Sequence, residues 1–103
     1  MDLGLKDKII IVTGGSKGIG AGLVSLLAKE AAFPIIVGRN KPSIEKLIVE
    51  VKKKNLKVGY ALAELTEPEQ CEIAVKGILE KYGRIDGLVN NAGINDSLSL
   101  IHI

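Results

Sequence analysis

Thr13 to Gly20 reads TGGSKGIG and follows without a break on KIIIV, Lys8 to Val12. Three isoleucines and a valine in succession do not alternate with polar residues. Lys8 to Thr13 is therefore expected to be a strand buried on both faces, the pattern of a parallel sheet. From Gly18 onward, Ile19, Leu23, Leu26 and Leu27 recur at helical spacing, which predicts a helix to about Ala32 with those four on its inner stripe. The glycines thus lie in the turn between a central strand and a helix.

The same alternation continues outward. Pro34 to Gly38, PIIVG, is a short apolar strand with proline tolerable at its first position. Ser43 is expected to cap a helix whose stripe is Ile44, Leu47, Ile48 and Val51, ending near Asn55. Lys57 to Ala63 makes a third strand. Thr66 and Glu69 in TEPE form a capping-box pattern, and the helix that follows carries Cys71, Val75, Ile78, Leu79 and Tyr82 on one face until Gly83 stops it. Asp86 to Asn91 begins as a fourth strand and turns polar. Four strands separated by three helices predict an α/β fold with a parallel sheet, because right-handed crossovers need a helix between strands.

Composition bounds the rest. The chain has 103 residues, 47% of them hydrophobic, with 14 basic against 12 acidic side chains. It is expected to form one domain, residues 1–103, near the lower end of what buries a core alone. Scattered lysines in near-balanced charge give no nucleic-acid footprint. No apolar run approaches the roughly 20 residues that span a bilayer, so no membrane association is expected. The single cysteine, Cys71, makes no internal disulfide, and no leader precedes Leu3; a cytoplasmic location is expected.

In a parallel α/β sheet, ligands bind beyond the carboxyl ends of the strands where chain order reverses, and the first strand-to-helix turn lies there. Gly14 can turn the chain sharply, Gly18 can let backbone approach a pyrophosphate, and Gly20 can let helix and strand touch. The helix start adds free N–H groups and about half a positive charge. A dinucleotide phosphate fits this cradle. A nucleoside triphosphate loop would need lysine and a hydroxyl residue after its second glycine, but Ala21 and Gly22 follow Gly20. The G-x-G-x-x-G spacing is also absent, with Ser16 at its second glycine.

TGGSKGIG together with LVNNAG, Leu88 to Gly93, resembles the paired signature of the short-chain dehydrogenase/reductase family. VGRN after the second strand and ELTEPEQ after the third extend the resemblance over essentially the whole chain. It implies a Rossmann-type fold with helices on both faces of the sheet, a nicotinamide dinucleotide, and hydride transfer between that cofactor and a small-molecule alcohol or carbonyl. Position by position, it makes Gly14, Gly15, Ser16, Lys17, Gly18, Ile19 and Gly20 the pyrophosphate turn. Arg39 and Asn40 match the adenosine ribose, and Glu64 and Leu65 the adenine-flanking pair. Asn91, Ala92, Gly93 and Ile94 match the nicotinamide-side ribose, with Asn90 bracing the sheet. Glu64 departs from the aspartate common in the family, and Ala31 from its glycine. A left-handed Ala31 would cost about 1 kcal/mol, implying a weakened chain or a shifted turn.

Charge bears on which cofactor. A carboxylate at the end of the second strand suits NAD, whereas cations suit the 2′-phosphate of NADP. Gly38 occupies that place, Arg39 follows, and Lys17 lies across the turn, so NADP is expected, with NAD as the alternative if these are solvated surface charges.

The family's chemistry also needs a tyrosine, a lysine four residues later that lowers its pKa, and a serine. Tyr60 is followed at that distance by Glu64 and Tyr82 by Asp86, so no catalytic residue is assigned. The expectation is an amino-terminal cofactor-binding portion of an oxidoreductase, its sheet cut short after the fourth strand, inactive alone and homo-oligomeric at full length. The rival is a stand-alone nucleotide-binding module completed by a partner chain. Cys71 is expected in the core, Lys52 to Lys54 as a solvated helix end, and His102 without the companions a metal site needs. Asn95 and Asp96 in GINDSLSL are similar to sugar dehydrogenases of the family, especially those acting on L-fucose; an Asx-type turn is the alternative.

Overall fold

The computed structural model describes residues 4–91. Ala92, Gly93, Ile94, Asn95, Asp96 and His102 lie outside them, as do the expectations placed on those positions. Seven elements alternate as expected: β1 (Ile9–Thr13), α1 (Gly18–Lys29), β2 (Phe33–Gly38), α2 (Lys41–Lys52), β3 (Gly59–Leu62), α3 (Pro68–Tyr82) and β4 (Gly87–Asn90). The four strands form one parallel sheet in the order β3-β2-β1-β4. The chain steps outward from β1 to β3 and then returns to the other side of β1, so the order reverses at the carboxyl end of β1. This is a Rossmann-like fold.

The unbroken apolar run of β1 resolves into two alternating sets. Ile9 and Ile11 face α3, joining Ile35, Val37, Cys71, Val75 and Ile78. Ile10 and Val12 face α1 and α2, joining Val24, Ala28, Ile36, Ile44, Leu47 and Val51. With helices on both faces every position of β1 is buried, and each buried isoleucine or valine contributes about 1.5–3 kcal/mol. Pro34 lies inside β2 rather than at its first position, and the ladder tolerates it there. Phe33 N–H donates to the Lys8 carbonyl, so the amide position of residue 34 faces away from β1, towards β3, whose pairing begins only at Ile35.

The inner stripe of α1 differs from the expected one. Gly20, Val24 and Ala28 are buried, whereas Ile19 is 78% and Leu26 53% exposed. Small residues bring the helix close to the sheet, and the larger leucines fall to its flanks. In α3, likewise, Ala74 is buried and Leu79 is exposed.

Two caps also move. The side chain of Asn40, not Ser43, caps α2: its Oδ1 accepts from the Ser43 N–H at 3.1 Å, with Pro42 in the first turn. The Thr66 capping box does not form, because Pro68 starts α3 with Glu67 at the N-cap and the Thr66 hydroxyl donates to Glu64 Oε1 at 3.1 Å.

All three helices end on a left-handed residue. Gly83 (φ 82) ends α3, its N–H donating to the Leu79 carbonyl at 2.8 Å. Asn55 (φ 59) follows α2 and Ala31 (φ 67) follows α1. Behind Ala31, its own N–H donates to Ala28 and that of Ala32 to Leu27, both at 3.0 Å, the paired bonds of a Schellman turn. The turn is therefore not shifted, and alanine occupies the glycine position. Asp86 joins the amino ends of β1 and β4: its Oδ2 accepts from Ile9 N–H and Arg84 Nε, each at 2.8 Å, and its own N–H donates to the Ile9 carbonyl.

Candidate functional site

The turn after β1 is tied to the sheet at its first residue, where Gly14 N–H donates to the Val37 carbonyl at 3.2 Å. Gly14 (φ 64) and Gly18 (φ 56) are left-handed. Between them Gly15 is buried, and a Cβ there would stand 3.0 Å from Val24 and 3.2 Å from Val12. Gly15 and Gly20 are thus packing glycines. A Cβ on Gly20 would collide with the Gly14 carbonyl oxygen and lie 2.8 Å from Asn91 Nδ2. Above them the turn is open: nothing lies within 4 Å of where a Gly18 side chain would stand.

The first helical bond of α1 runs from Ala21 N–H to the Lys17 carbonyl, and the Lys17 side chain caps nothing. The Gly18, Ile19 and Gly20 amides upstream therefore have no acceptor within the helix. Amides without helical acceptors, beside glycines at a helix start, suit the oxygens of a phosphate. The residues present fit such a group.

One wall of this region was missed in the sequence. Thr13, 1% exposed, donates its hydroxyl to Asn90 Oδ1 at 2.8 Å and accepts the Asn91 N–H at 3.1 Å. A single hydroxyl thereby couples the carboxyl ends of β1 and β4, with Asn90 bracing the sheet and Asn91 held beside Gly20. The available signal was a hydroxyl residue closing an otherwise apolar strand immediately before the glycines.

The second group forms beyond β2 and β3. Ala63 N–H donates to the Gly38 carbonyl at 2.8 Å, prolonging the ladder so that Glu64 follows the residue opposite Arg39. Arg39 Nη1 meets Glu64 Oε2 at 2.9 Å. The Arg39 guanidinium first, then the Thr66 backbone amide, holds the Glu64 carboxyl below the usual carboxylate range. An open cleft of about 520 Å³ is lined there by Arg39, Ala63, Glu64, Leu65, Thr66 and Glu67.

Lys17 does not join Arg39 in this cleft. With Ser16 and Gly18 it lines a separate groove shared with Ser43 and Lys46 of α2. The Asn40 side-chain oxygen is engaged as a helix cap, and Leu65 packs against the α3 side of the core.

Other candidates are structural. Cys71 is fully buried, with Sγ 3.6 Å from the Leu65 carbonyl, and burial pushes its thiol pKa up, the opposite of a nucleophile. Tyr82 stands edge-on to Phe33 at 5.0 Å, at the amino end of the sheet and away from the turn. Among the described residues no helix is long and apolar enough to cross a membrane.

The family model described as short chain dehydrogenase matches residues 8–102. The 3-oxoacyl-acyl-carrier-protein reductase FabG of Thermotoga maritima is 34% identical over 99 residues, covering 96% of this chain and 40% of its own length. That of Chlamydia muridarum is 40% identical over 96 residues, covering 91% of this chain and 39% of its own. The crystal structure of L-sorbose reductase from Gluconobacter frateurii, complexed with NADPH and L-sorbose, superposes with a TM-score of 0.84 at 31% identity, covering 93% of this chain and 37% of that one. The chain thus spans about two fifths of the length of these relatives. With a family model matching residues 8–102 and solved relatives sharing its fold, the chain belongs to the short-chain dehydrogenase family.

Proposed function

We propose that residues 1–103 are the cofactor-binding portion of a nicotinamide-dependent oxidoreductase that interconverts an alcohol and a carbonyl. The observation carrying this reading is the turn itself: three amides without helical acceptors, at the point where strand order reverses, with Gly20 packed too closely against backbone to bear a side chain. The residues from Gly14 to Gly20 would hold the pyrophosphate, Arg39 and Asn40 the adenosine ribose, and Glu64 and Leu65 the adenine. Asn91, with Ala92, Gly93 and Ile94, would run beside the nicotinamide-side ribose. A bound nicotinamide supplies or accepts the hydride; this chain's residues bind and orient it.

NADP is the preferred cofactor in this reading, supported by Gly38 where a carboxylate would select NAD and by the cation that follows. The NADPH in the sorbose reductase structure is consistent with it. The names of the relatives, a 3-oxoacyl reductase and a sugar reductase, support a ketone substrate class, a sugar being its narrower form. A cytoplasmic location and a homo-oligomer complete the proposal. Calorimetric titration of the intact protein with NADPH and NADH tests it: NADPH is expected to bind more tightly, and NADH binding more tightly would sink the NADP assignment. Substituting Arg39→Ala is expected to erase the difference.

A further inference from the structure

Arg39 is 79% exposed along its side chain, whereas its partner is clamped. Glu64 N–H donates to Gln70 Oε1 at 2.7 Å, Glu64 Oε1 accepts from Thr66 Oγ1, and Oε2 accepts from Arg39. With the carboxylate anchored on the segment joining β3 to α3 and the guanidinium on a flexible stem, the acid fixes where the cation stands. The methylene that distinguishes Glu64 from aspartate is what carries the carboxylate to Arg39.

We infer that Glu64 is a specificity-determining residue acting through Arg39: its carboxylate is the counter-ion that a cofactor's 2′-phosphate must displace to engage the guanidinium. This rests on the reading above, in which the adenosine ribose lies beside Arg39. A phosphate at that place finds the cation already neutralised and a fixed negative charge next to it. Discrimination between NADP and NAD is then set by an exchange of anions on Arg39, and the present pairing holds it below what Arg39 alone would give. NAD, with a hydroxyl in place of the phosphate, leaves the pair intact and is indifferent to it.

The test is a set of calorimetric titrations with NADPH and NADH on the intact protein and on the variants Glu64→Gln, Glu64→Asp, Glu67→Gln, Arg39→Ala and the double variant Arg39→Ala/Glu64→Gln, each checked for a cooperative melt. Glu64→Gln is expected to tighten NADPH by about threefold or more and NADH by less than about twofold, the scale of one exposed ion pair. Glu64→Asp keeps the charge but withdraws it from Arg39; it is expected to move NADPH in the same direction and serves alone if Glu64→Gln does not fold. The gain is expected to vanish in the Arg39→Ala background.

An equal gain in that background, or from Glu67→Gln in the same cleft, would mean general charge repulsion and overturn the inference. An unchanged NADPH to NADH ratio in both Glu64 variants, with Arg39→Ala still abolishing the preference, would overturn it while leaving the cofactor reading intact. A ratio unmoved by Arg39→Ala would overturn that reading and this inference with it.

Discussion

At the amino end of α1 the left-handed positions fall on Gly14 and Gly18, and Gly20 in the first turn of the helix has no room for a side chain. At its carboxyl end the same backbone conformation falls on Ala31, and the turn forms all the same, with both Schellman bonds in place. The difference separates two reasons for glycine. A left-handed φ alone costs another residue about 1–2 kcal/mol, which a packed helix can carry. A position where the Cβ would meet backbone atoms leaves no such tolerance, and a turn that must admit a ligand's oxygens has to stay bare on its outer side as well.

The largest effect expected from breaking this contrast is at Gly20. Gly20→Ala drives a methyl group into the Gly14 carbonyl and against Gly15 Cα and Asn91; backbone does not yield as a flexible side chain would. A cost of about 3 kcal/mol lowers the melting temperature by roughly 10–20 °C, and dinucleotide binding is lost with the turn's shape. Preserved melting and affinity in Gly20→Ala would show that the close approach is not needed.

Gly18→Ala is gentler, because no atom stands within 4 Å and only the φ of 56° is unfavourable. About 1 kcal/mol of stability is expected to go, with weaker cofactor binding as the more telling change, since the added methyl projects from the cradle.

The carboxyl ends of the helices sharpen the comparison in the opposite direction. Ala31→Gly is expected to raise the melting temperature by about 4–8 °C, and Gly83→Ala, at φ 82° in open space, to lower it by a similar amount. A null result for Ala31→Gly would mean that the added freedom of the unfolded chain cancels the relieved strain.

The smallest expected effect is a pH dependence at the sheet's amino end. Arg84 first, then the Ile9 amide, holds the Asp86 carboxyl below the ordinary aspartate value of 3.8. A lowered folded-state pKa means that the fold favours the ionised form. Its contribution is whole above that ordinary value and is lost as pH falls through the folded one. Melting temperatures of the wild type and Asp86→Asn are expected to differ at neutral pH and converge in acid; a constant gap would remove Asp86 from acid sensitivity.

The sequence was most legible where one kind of force decided the outcome. An apolar run that does not alternate is a buried parallel strand, and β1 followed from it. Gly83 stopped α3 because a glycine after an apolar stripe takes the left-handed turn that ends a helix, as its φ of 82° shows. The inner face of α1 was misread because large apolar residues at helical spacing look like core, while close approach to the sheet selects Gly20, Val24 and Ala28 instead. Caps were misplaced where several hydroxyl or amide residues compete within four positions: Asn40 prevailed over Ser43, and Glu64 took the Thr66 hydroxyl. The Arg39–Glu64 pair and the Thr13 bridge were illegible for another reason. Their partners are 25 and 77 residues apart, and nothing in a linear pattern announces which strands will lie side by side.

Asp86 has one more consequence, in the order of assembly. Ile9 pairs with Phe33, only 24 positions on, but its bond to Asp86 spans 77 residues. By the logarithmic cost of closing a loop, the second joint is about 1 kcal/mol more expensive in chain entropy than the first. The unit of β1, α1 and β2 is therefore expected to close before β4 docks. Since β4 brings Asn90 and Asn91 to Thr13, its docking also completes the wall beside the glycine turn. A half-assembled chain presents no complete binding surface, so any dinucleotide that binds the finished sheet draws β4 home by mass action.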